Sequence, residues 1–584
     1  MKNKINNSTQ KKWMLLLFVT AFTYAAFTQP VSWTAYYEVG DNTFPPPATV
    51  NLKSIAYNPV NSDIYAYGQK FFNLPAQPSG MVYTRECGIV RYDNAAGGVP
   101  LGEVYDVHHD NTTMIPRSDE AGEMVIAADG SVYVTAKRYY DDIHLYDMVV
   151  IKYNSVLVEQ WRQWFFSPGA ADDAGIAIAL DGSGNVCVAG QIGNNGGGTG
   201  KDFLIAKISS GGSLTWQRIY NTSGTQDDIS ADITTDASGN IYVTGTSVSA
   251  TNGNQITLIK YSAGGTRQWT RYYNAVGAAV RDDHPGSVTV NSSSGDVYVA
   301  GTTENASSNT DVTLLAYNAA GTRLWVKKTN NSGDSRDRGF GVKIDPAQNI
   351  YIGGDVDRDA TANISGDLIL RKYSPSGALL KTIKYNGSGY NCEFGDMALV
   401  NSNTLYVTGW CLGATIPPSS GSYSLMTIKY AAGILQWSDF LTPGQFQTCG
   451  EGEYGFKLAV NQPTSEIVVG GRFWQWCPGA HPNQWLIRRY NPTLREGEEH
   501  AGVIANENAI KIFPNPASGR VTLELPSGQE SDLQIVNTLG EIIFSEKVYS
   551  SLVEIDLAKF PKGMYFAKWN DGKNFDSKSF LVVK

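Results

Sequence analysis

The sequence predicts an all-β protein assembled from many short antiparallel strands, and three observations carry that expectation. One five-residue strand recurs eight times, as "IYAYG" at 64, "VYVTA" at 132, "VCVAG" at 186, "IYVTG" at 241, "VYVAG" at 297, "IYIGG" at 350, "LYVTG" at 405 and "IVVGG" at 467. From Gly190 its terminal glycines fall at 245, 301 and 354, in steps of 55, 56 and 53. The composition, with 60 Gly, 32 Tyr and 13 Trp against 17% charged residues, suits tight turns and short strands better than long amphipathic helices.

Each repeat has a fixed grammar. A short strand such as "AGIAIAL" (174–180) leads through a turn such as "DGSGN" into the recurring strand, whose apolar and polar residues alternate as in a half-buried strand. A variable loop follows, then a strand such as "DFLIAKI" (202–208), a Gly-containing turn, and a Trp strand such as "LTWQRIYN". These are four antiparallel strands, A to D, joined by hairpins. Four strands in 40–45 residues or more, repeated many times, define the blades of a β-propeller, in which stacked neighbours bury sheet faces that no single sheet could bury.

Counting strands by type gives eight A–B–C units. The eighth C strand, "WLIRRYN" (485–491), is followed by "PTLREGEEHAG" and no Trp strand, whereas the chain opens on a spare one. "SWTAYYEV" (32–39) matches "RQWTRYYN" (267–274): Trp33 with Trp269, Thr34 with Thr270, Tyr36 with Tyr272, Tyr37 with Tyr273. The expectation is an eight-bladed propeller over 29–491 closed by its N-terminal strand, with seven blades as the alternative. A charged linker (492–508) and a small C-terminal β-sandwich (509–584) follow.

Residues 1–28 read as a signal peptide: Lys2, Lys4, Lys11 and Lys12 precede an apolar stretch (13–27) too short to span a membrane. No later apolar run is long enough to span, so no transmembrane segment is expected once the signal is removed. The formal charge of −9 argues against nucleic acid and anionic lipid as partners.

Two family resemblances follow from these motifs. The repeat grammar, best at 236–269 and 181–216 and covering roughly 33–490, resembles the SBBP family of bacterial β-propeller repeats, which implies the fold and hardly any activity. The C-terminal segment resembles the type A sorting domain of the type IX secretion system of Bacteroidetes. That match rests on "IFPNPASGRVTLEL" (512–525), "LQIVNTLGEIIFSEKV" (533–548), "IDLAKFPKGMYFAKW" (555–569) and "SKSFLVVK" (577–584). Its motif residues here are Pro514, Asn515, Pro516, Gly519, Gly540, Gly563 and Tyr565. The resemblance implies Sec export, contact with the type IX machinery, and delivery to the cell surface or medium.

The chain shows no nucleophile elbow, HExxH zinc motif, P-loop or paired CxxC, so a non-catalytic binding module, expected as a monomer, is the leading functional class. Quinoprotein chemistry is disfavoured because vicinal cysteines are absent; a polysaccharide lyase or hydrolase and a purely structural surface protein remain as competing classes. His108, His109 and Asp110 could suggest a metal, but adjacent strand residues point to opposite faces.

An acidic theme precedes strand A: Asp119/Glu120, Asp172/Asp173, Asp227/Asp228 and Asp282/Asp283, continued by Asp334/Asp337, Glu393/Asp396 and Glu451/Glu453. These D–A corners should ring one mouth of the axial channel, where carboxylates could hold Ca²⁺; no other cofactor is expected. The competing reading is that each Asp accepts backbone N–H groups of its own or a neighbouring blade. The variable B–C loops share that face. Trp474, Trp476 and His481 in the eighth repeat, with Trp410 in the seventh, are candidate glycan or peptide contacts; Tyr139 and Tyr140 in the second are a weaker pair. The D-strand tryptophans and Trp485 read as packing. Cys392 and Cys411 occupy the same end of one A–B hairpin, Cys449 and Cys477 the corresponding places in the next, which predicts two disulfides. Cys187 reads as a buried thiol, and Cys87 has no assignment.

Overall fold

The computed structural model describes residues 31–38, most of 52–490 and most of 511–582. Outside the description lie 1–30, 39–51, 74–82, 95–99, 106–118, 141–145, 168–170, 194–199, 223–225, 250–252, 275–280, 306–308, 330–336, 357–365, 386–391, 413–422, 442–456, 474–483, 491–510, 514–518, 526–529, 538–541, 571–574 and 583–584. Every regular element among the described residues is a β-strand. Before residue 491 they form eight four-stranded antiparallel sheets, one of which gains a two-residue strand, Arg281–Asp282. Seven sheets run A–B–C–D in chain order. Strand A of each sheet lies against strand A of the next, and that of the eighth, Lys457–Asn461, lies against that of the first, Leu52–Tyr57. The arrangement is propeller-like.

Strand B departs from the expected half-buried alternation. In Val186–Gly193, the residues Val186, Cys187, Val188 and Ala189 are all fully buried, because the strand is central in its sheet and both faces meet a neighbouring sheet. Its polar members therefore need internal partners. Thr135, Thr244 and Thr408 each donate to a strand-C carbonyl, of Val149, Thr257 and Met426, at 3.1, 3.0 and 2.9 Å. The glycine ending the motif marks a close approach: a Cβ on Gly245 would lie 2.3 Å from the Ile229 carbonyl oxygen, beside a bulge in strand A. The "DGSGN" turn forms as its residues dictate. Asp181 Oδ1 accepts the amides of Ser183 and Asn185 at 2.9 Å, and Gly184 takes φ +75°.

The D-strand tryptophans join neighbouring sheets. Nε1 of Trp161, Trp216, Trp269 and Trp325 donates to the C–D turn of the next sheet, at the carbonyls of Ser210, Ala263, Ala319 and Pro375, all at 3.1–3.2 Å. Two residues after each acceptor is a glycine with positive φ: Gly212, Gly265, Gly321 or Gly377. A Cβ there would sit 2.6–2.9 Å from the indole, so only glycine admits the ring. At the first three of these four seams the strand-C lysine, Lys152, Lys207 or Lys260, reaches the same carbonyl.

The spare N-terminal strand, Val31–Glu38, pairs antiparallel with Gln484–Tyr490 and is the outermost strand of the eighth sheet. Trp33 faces Arg489 and Tyr37 faces Trp485, the register that sets Trp269 against Lys260 and Tyr273 against Ile256. Arg489 Nη1 donates to the Asn94 carbonyl at 3.0 Å, repeating across the chain ends the seam bond made by the lysines. Trp485 is fully buried in the core between the eighth and first sheets.

Cys392 and Cys411 are cross-strand partners and form a disulfide with Cα atoms 4.0 Å apart; Cys449 and Cys477 lie outside the described residues. The crosslink spans 19 residues, so the double alanine variant should lose about 3 kcal/mol of stability in non-reducing urea melts. Equal midpoints with and without reductant would refute that contribution. Cys87, in strand C of the first sheet, and Cys187 are buried free thiols; burial pushes Cys187 up to about 12.

After residue 510, a three-stranded sheet (Lys511–Phe513, Arg520–Glu524, Leu552–Asp556) and a four-stranded sheet (Ile542–Val548, Ser531–Asn537, Gly563–Asn570, Phe575–Val582) share one core around Val521, Leu523, Leu533, Ile535, Trp569 and Phe580. Tyr565 is buried there and donates to the Pro561 carbonyl at 2.9 Å. Gly519 accepts the Leu557 amide at 2.9 Å, and Gly563 opens the strand carrying Tyr565. Pro514, Asn515, Pro516 and Gly540 lie outside the described residues.

Candidate functional site

The D–A corners are built by the acidic theme. One carboxylate of each of the first four pairs, Asp119, Asp173, Asp228 and Asp283, is buried and accepts backbone amides. Asp173 takes those of Ser167 and Gly193 at 2.6 and 2.7 Å, tying the end of strand D to the end of strand B. Asp228 takes the amide and hydroxyl of Thr222, and Asp283 the amide of Glu304 at 2.7 Å. Asp119 accepts the Tyr139 amide at 3.0 Å and Nε of Arg138 at 3.1 Å. Burial raises the carboxyl pKa values of Asp173 and Asp228, and the amide bonds offset part of that rise. The remaining members have other partners. Asp172 pairs with Lys137 at 2.6 Å, and Asp227 accepts the Lys201 amide at 2.8 Å and lines a polar hollow of about 510 Å³ with Thr246 and His284. Asp282 lies in the two-residue strand beside Asn254. Among the described residues no three His, Cys, Asp or Glu side chains converge as metal ligands.

The second sheet carries a patch of aromatic rings at this end. Strand B, Val132–Tyr139, runs into Tyr140, whose ring meets those of Trp164 and Phe166 edge-on, with centroids 4.9 and 4.7 Å apart. The Trp164 and Phe166 planes lie within 16° of each other at 6.4 Å. Tyr140 and Phe166 are exposed, at 41% and 42%, and lie side by side rather than singly as exposed Tyr272 does. Tyr139 is instead buried against Tyr146, with centroids 5.8 Å apart.

A second feature lies on the axis. A cavity of about 460 Å³ is lined by Lys53, Gln69, Glu120, Glu123, Lys137 and Lys457, among others. Beside it Asp232 accepts the Ile233 and Val288 amides, both at 2.8 Å, the second from strand A of the next sheet. Asp396 bridges the same way to Leu458 at 3.1 Å. Burial, reinforced by the charge of Glu123, pushes the Asp232 carboxyl up to about 7. Burial opposes the charge on Lys457, but Asp396, Glu123 and Asp232 outweigh it and raise its pKa.

The structure thus leaves Tyr140 of the sequence candidates exposed and draws Tyr139 into the core. Trp410 packs at the seam between the seventh and eighth sheets, near Tyr406, Leu425 and Leu458. Trp474, Trp476 and His481 lie outside the described residues, as do His108, His109 and Asp110. Trp164 and Phe166 were not anticipated. Their signal is in "EQWRQWFF": Trp161 occupies the repeated seam position, whereas Trp164 stands where other D strands have Ile219, Tyr272 and Lys328. Asp232, Glu123 and Lys457 carry no sequence signal, because they meet only when strand A of successive sheets surrounds an axis.

Residues 511–584 match the family of secretion system C-terminal sorting domains, and they constitute a type IX sorting domain. The protein is therefore exported to the cell surface or the extracellular space. No curated protein sequence matches the chain. Among solved structures it overlaps PorZ, a surface component of the type IX secretion system of Porphyromonas gingivalis, at 12% identity and TM-score 0.34 over 91% of this chain and 70% of that one. It also overlaps the β-propeller domain of the Trilobed protease of Pyrococcus furiosus (9%, TM-score 0.37, 68% and 100%) and an α-L-arabinanase of Penicillium chrysogenum (12%, TM-score 0.32, 54% and 92%). Overlaps this loose transfer neither activity nor ligand.

Proposed function

We propose that the mature protein is a non-catalytic recognition module displayed or released by type IX secretion. It is an SBBP-type propeller of eight blades rather than seven, closed by the N-terminal strand and followed by a sandwich-like sorting domain. Its ligand is a glycan, held at the D–A/B–C face. The observation that carries this reading is the cluster of exposed Tyr140 and Phe166 with half-buried Trp164. Flat apolar rings set in a polar surface suit the C–H faces of sugar rings and lose little side-chain entropy on binding. Recognition of this kind needs no calcium, and the corner aspartates are engaged by backbone amides.

The test is a glycan and polysaccharide binding screen on the mature chain, with reducing-end release measured in parallel. Tyr140→Ala and Phe166→Ala should each weaken a detected glycan at least tenfold, about 1.4 kcal/mol, without changing the melting temperature by more than a few degrees. Unchanged affinity in both variants would remove the site. A specific observation supports an enzyme as the second reading: Asp232, held near neutral pKa beside Glu123 at a sizeable axial cavity, resembles the unequal carboxyl pairs of glycosidases. Turnover lost in Asp232→Asn would favour it over the binding module.

A further inference from the structure

One seam breaks the tryptophan pattern without replacing what it removes. In register, the indole position faces the strand-C residue Lys152, Lys207, Lys260 or Ala316, and is occupied by Trp161, Trp216, Trp269 or Trp325. In the sixth sheet the residue facing Lys372 is Lys381. The receiving half of the seam keeps its glycine, though Ala432 before it also takes positive φ, at +50°. Gly433 in the turn of the seventh sheet keeps φ +75°, although that turn is one residue shorter than the others. Tyr351 occupies the place from which Tyr133, Tyr242 and Tyr298 meet the indoles of their own sheets at 5.8–6.1 Å. The Lys381 stem crosses Gly433, with its carbons 3.1–3.4 Å from where a Cβ would be, and leaves a hollow of about 330 Å³ walled by Tyr351, Leu370, Ile383, Leu405 and Tyr430.

The first seam shows what a compensated loss looks like. There Gly102 stands at the indole position, facing Arg91. The turn of the second sheet answers with Leu157, at φ +64° where the other turns have glycine. A leucine in that conformation is strained, yet its side chain is buried in the seam core beside Tyr65 and Val132. The chain therefore fills one indole slot with leucine and covers the other only with the stem of an exposed lysine, beside a hollow. Lys372 is engaged by Asp345 and the Ser402 carbonyl, at 3.0 and 3.2 Å. Lys381 has no ion pair among the described residues and stands exposed at the rim.

We propose that this slot between the sixth and seventh sheets binds a small planar aromatic carboxylate of indole size. Its ring lies between Gly433 and Tyr351 as the seam tryptophans do, and its carboxylate meets Lys381. The volume falls at the lower end of ligand pockets. The site lies at the C–D turn end, opposite the aromatic patch, and does not depend on the glycan reading. Calorimetry on the mature chain with indole-3-acetate and with indole tests it. Saturable one-to-one binding of indole-3-acetate is expected, at least fivefold tighter than indole. Lys381→Trp should abolish both and raise the melting temperature, and Lys381→Phe should weaken both. Lys381→Met should keep indole and erase the preference for the acetate, a readout that holds if the filled variants fold poorly. No saturation at millimolar ligand, or wild-type binding by a folded Lys381→Trp protein, would overturn the proposal.

Discussion

Removing residues 31–38 should lower the melting temperature of the protein by more than about 10 °C, several kcal/mol for a domain of this size, and drive edge-paired self-association. The strand supplies seven paired positions along Gln484–Tyr490, so its loss bares the backbone of a strand whose Trp485 and Ile487 are fully buried. An unpaired edge of that kind is a template for another chain. The eighth sheet then holds to the first through the Arg489 contact with Asn94 and the shared core of Leu52, Ile55, Trp485 and Ile487, without its own outermost strand. A truncated chain that melted and sedimented like the intact one would show that ring closure contributes nothing.

Lys457→Met should cost about 1–2 kcal/mol at pH 8, because it strips a cation from a half-buried cluster of carboxylates, and clearly less at pH 5. In the wild type, Asp232 has a folded pKa of about 7 against about 3.9 unfolded. A raised carboxyl pKa stabilises the fold below pH 4, and that contribution is lost as pH rises through 7. The Lys457 ammonium, with its own pKa raised by Asp396, Glu123 and Asp232, stays charged throughout and offsets their repulsion. Without it the three carboxylates face one another at pH 8, whereas at pH 5 Asp232 takes up a proton and relieves them. Urea midpoints at the two pH values measure the difference. An equal penalty at both would mean that Lys457 acts by packing alone.

Much of this organisation was legible in the chain because it depends on local rules repeated many times. The glycine steps, the "DGSGN" turns and the Trp strands each follow from backbone conformation over a few residues, and their repetition multiplies a weak signal. The spare Trp-Thr-x-Tyr-Tyr at 33–37 even gave its own register. The acidic theme was visible, but its chemistry was not. Asp173, Asp228 and Asp283 look like metal ligands in a string of letters, and folding engages them with amides of their own corners.

What the sequence by itself determined is therefore the strand inventory, the strand that closes the last sheet, the Cys392–Cys411 crosslink and the export route. Each rests on spacing along the chain or on a motif read in order. Only the tertiary structure decided which aromatics stay outside, that Asp232 and Lys457 share an axis, and that Leu157 fills one seam while Gly433 leaves another open. The last two depend on residues some 50 to 330 positions apart, brought together by the stacking of sheets. No local periodicity encodes whether a neighbour arrives with an indole, a leucine or a lysine.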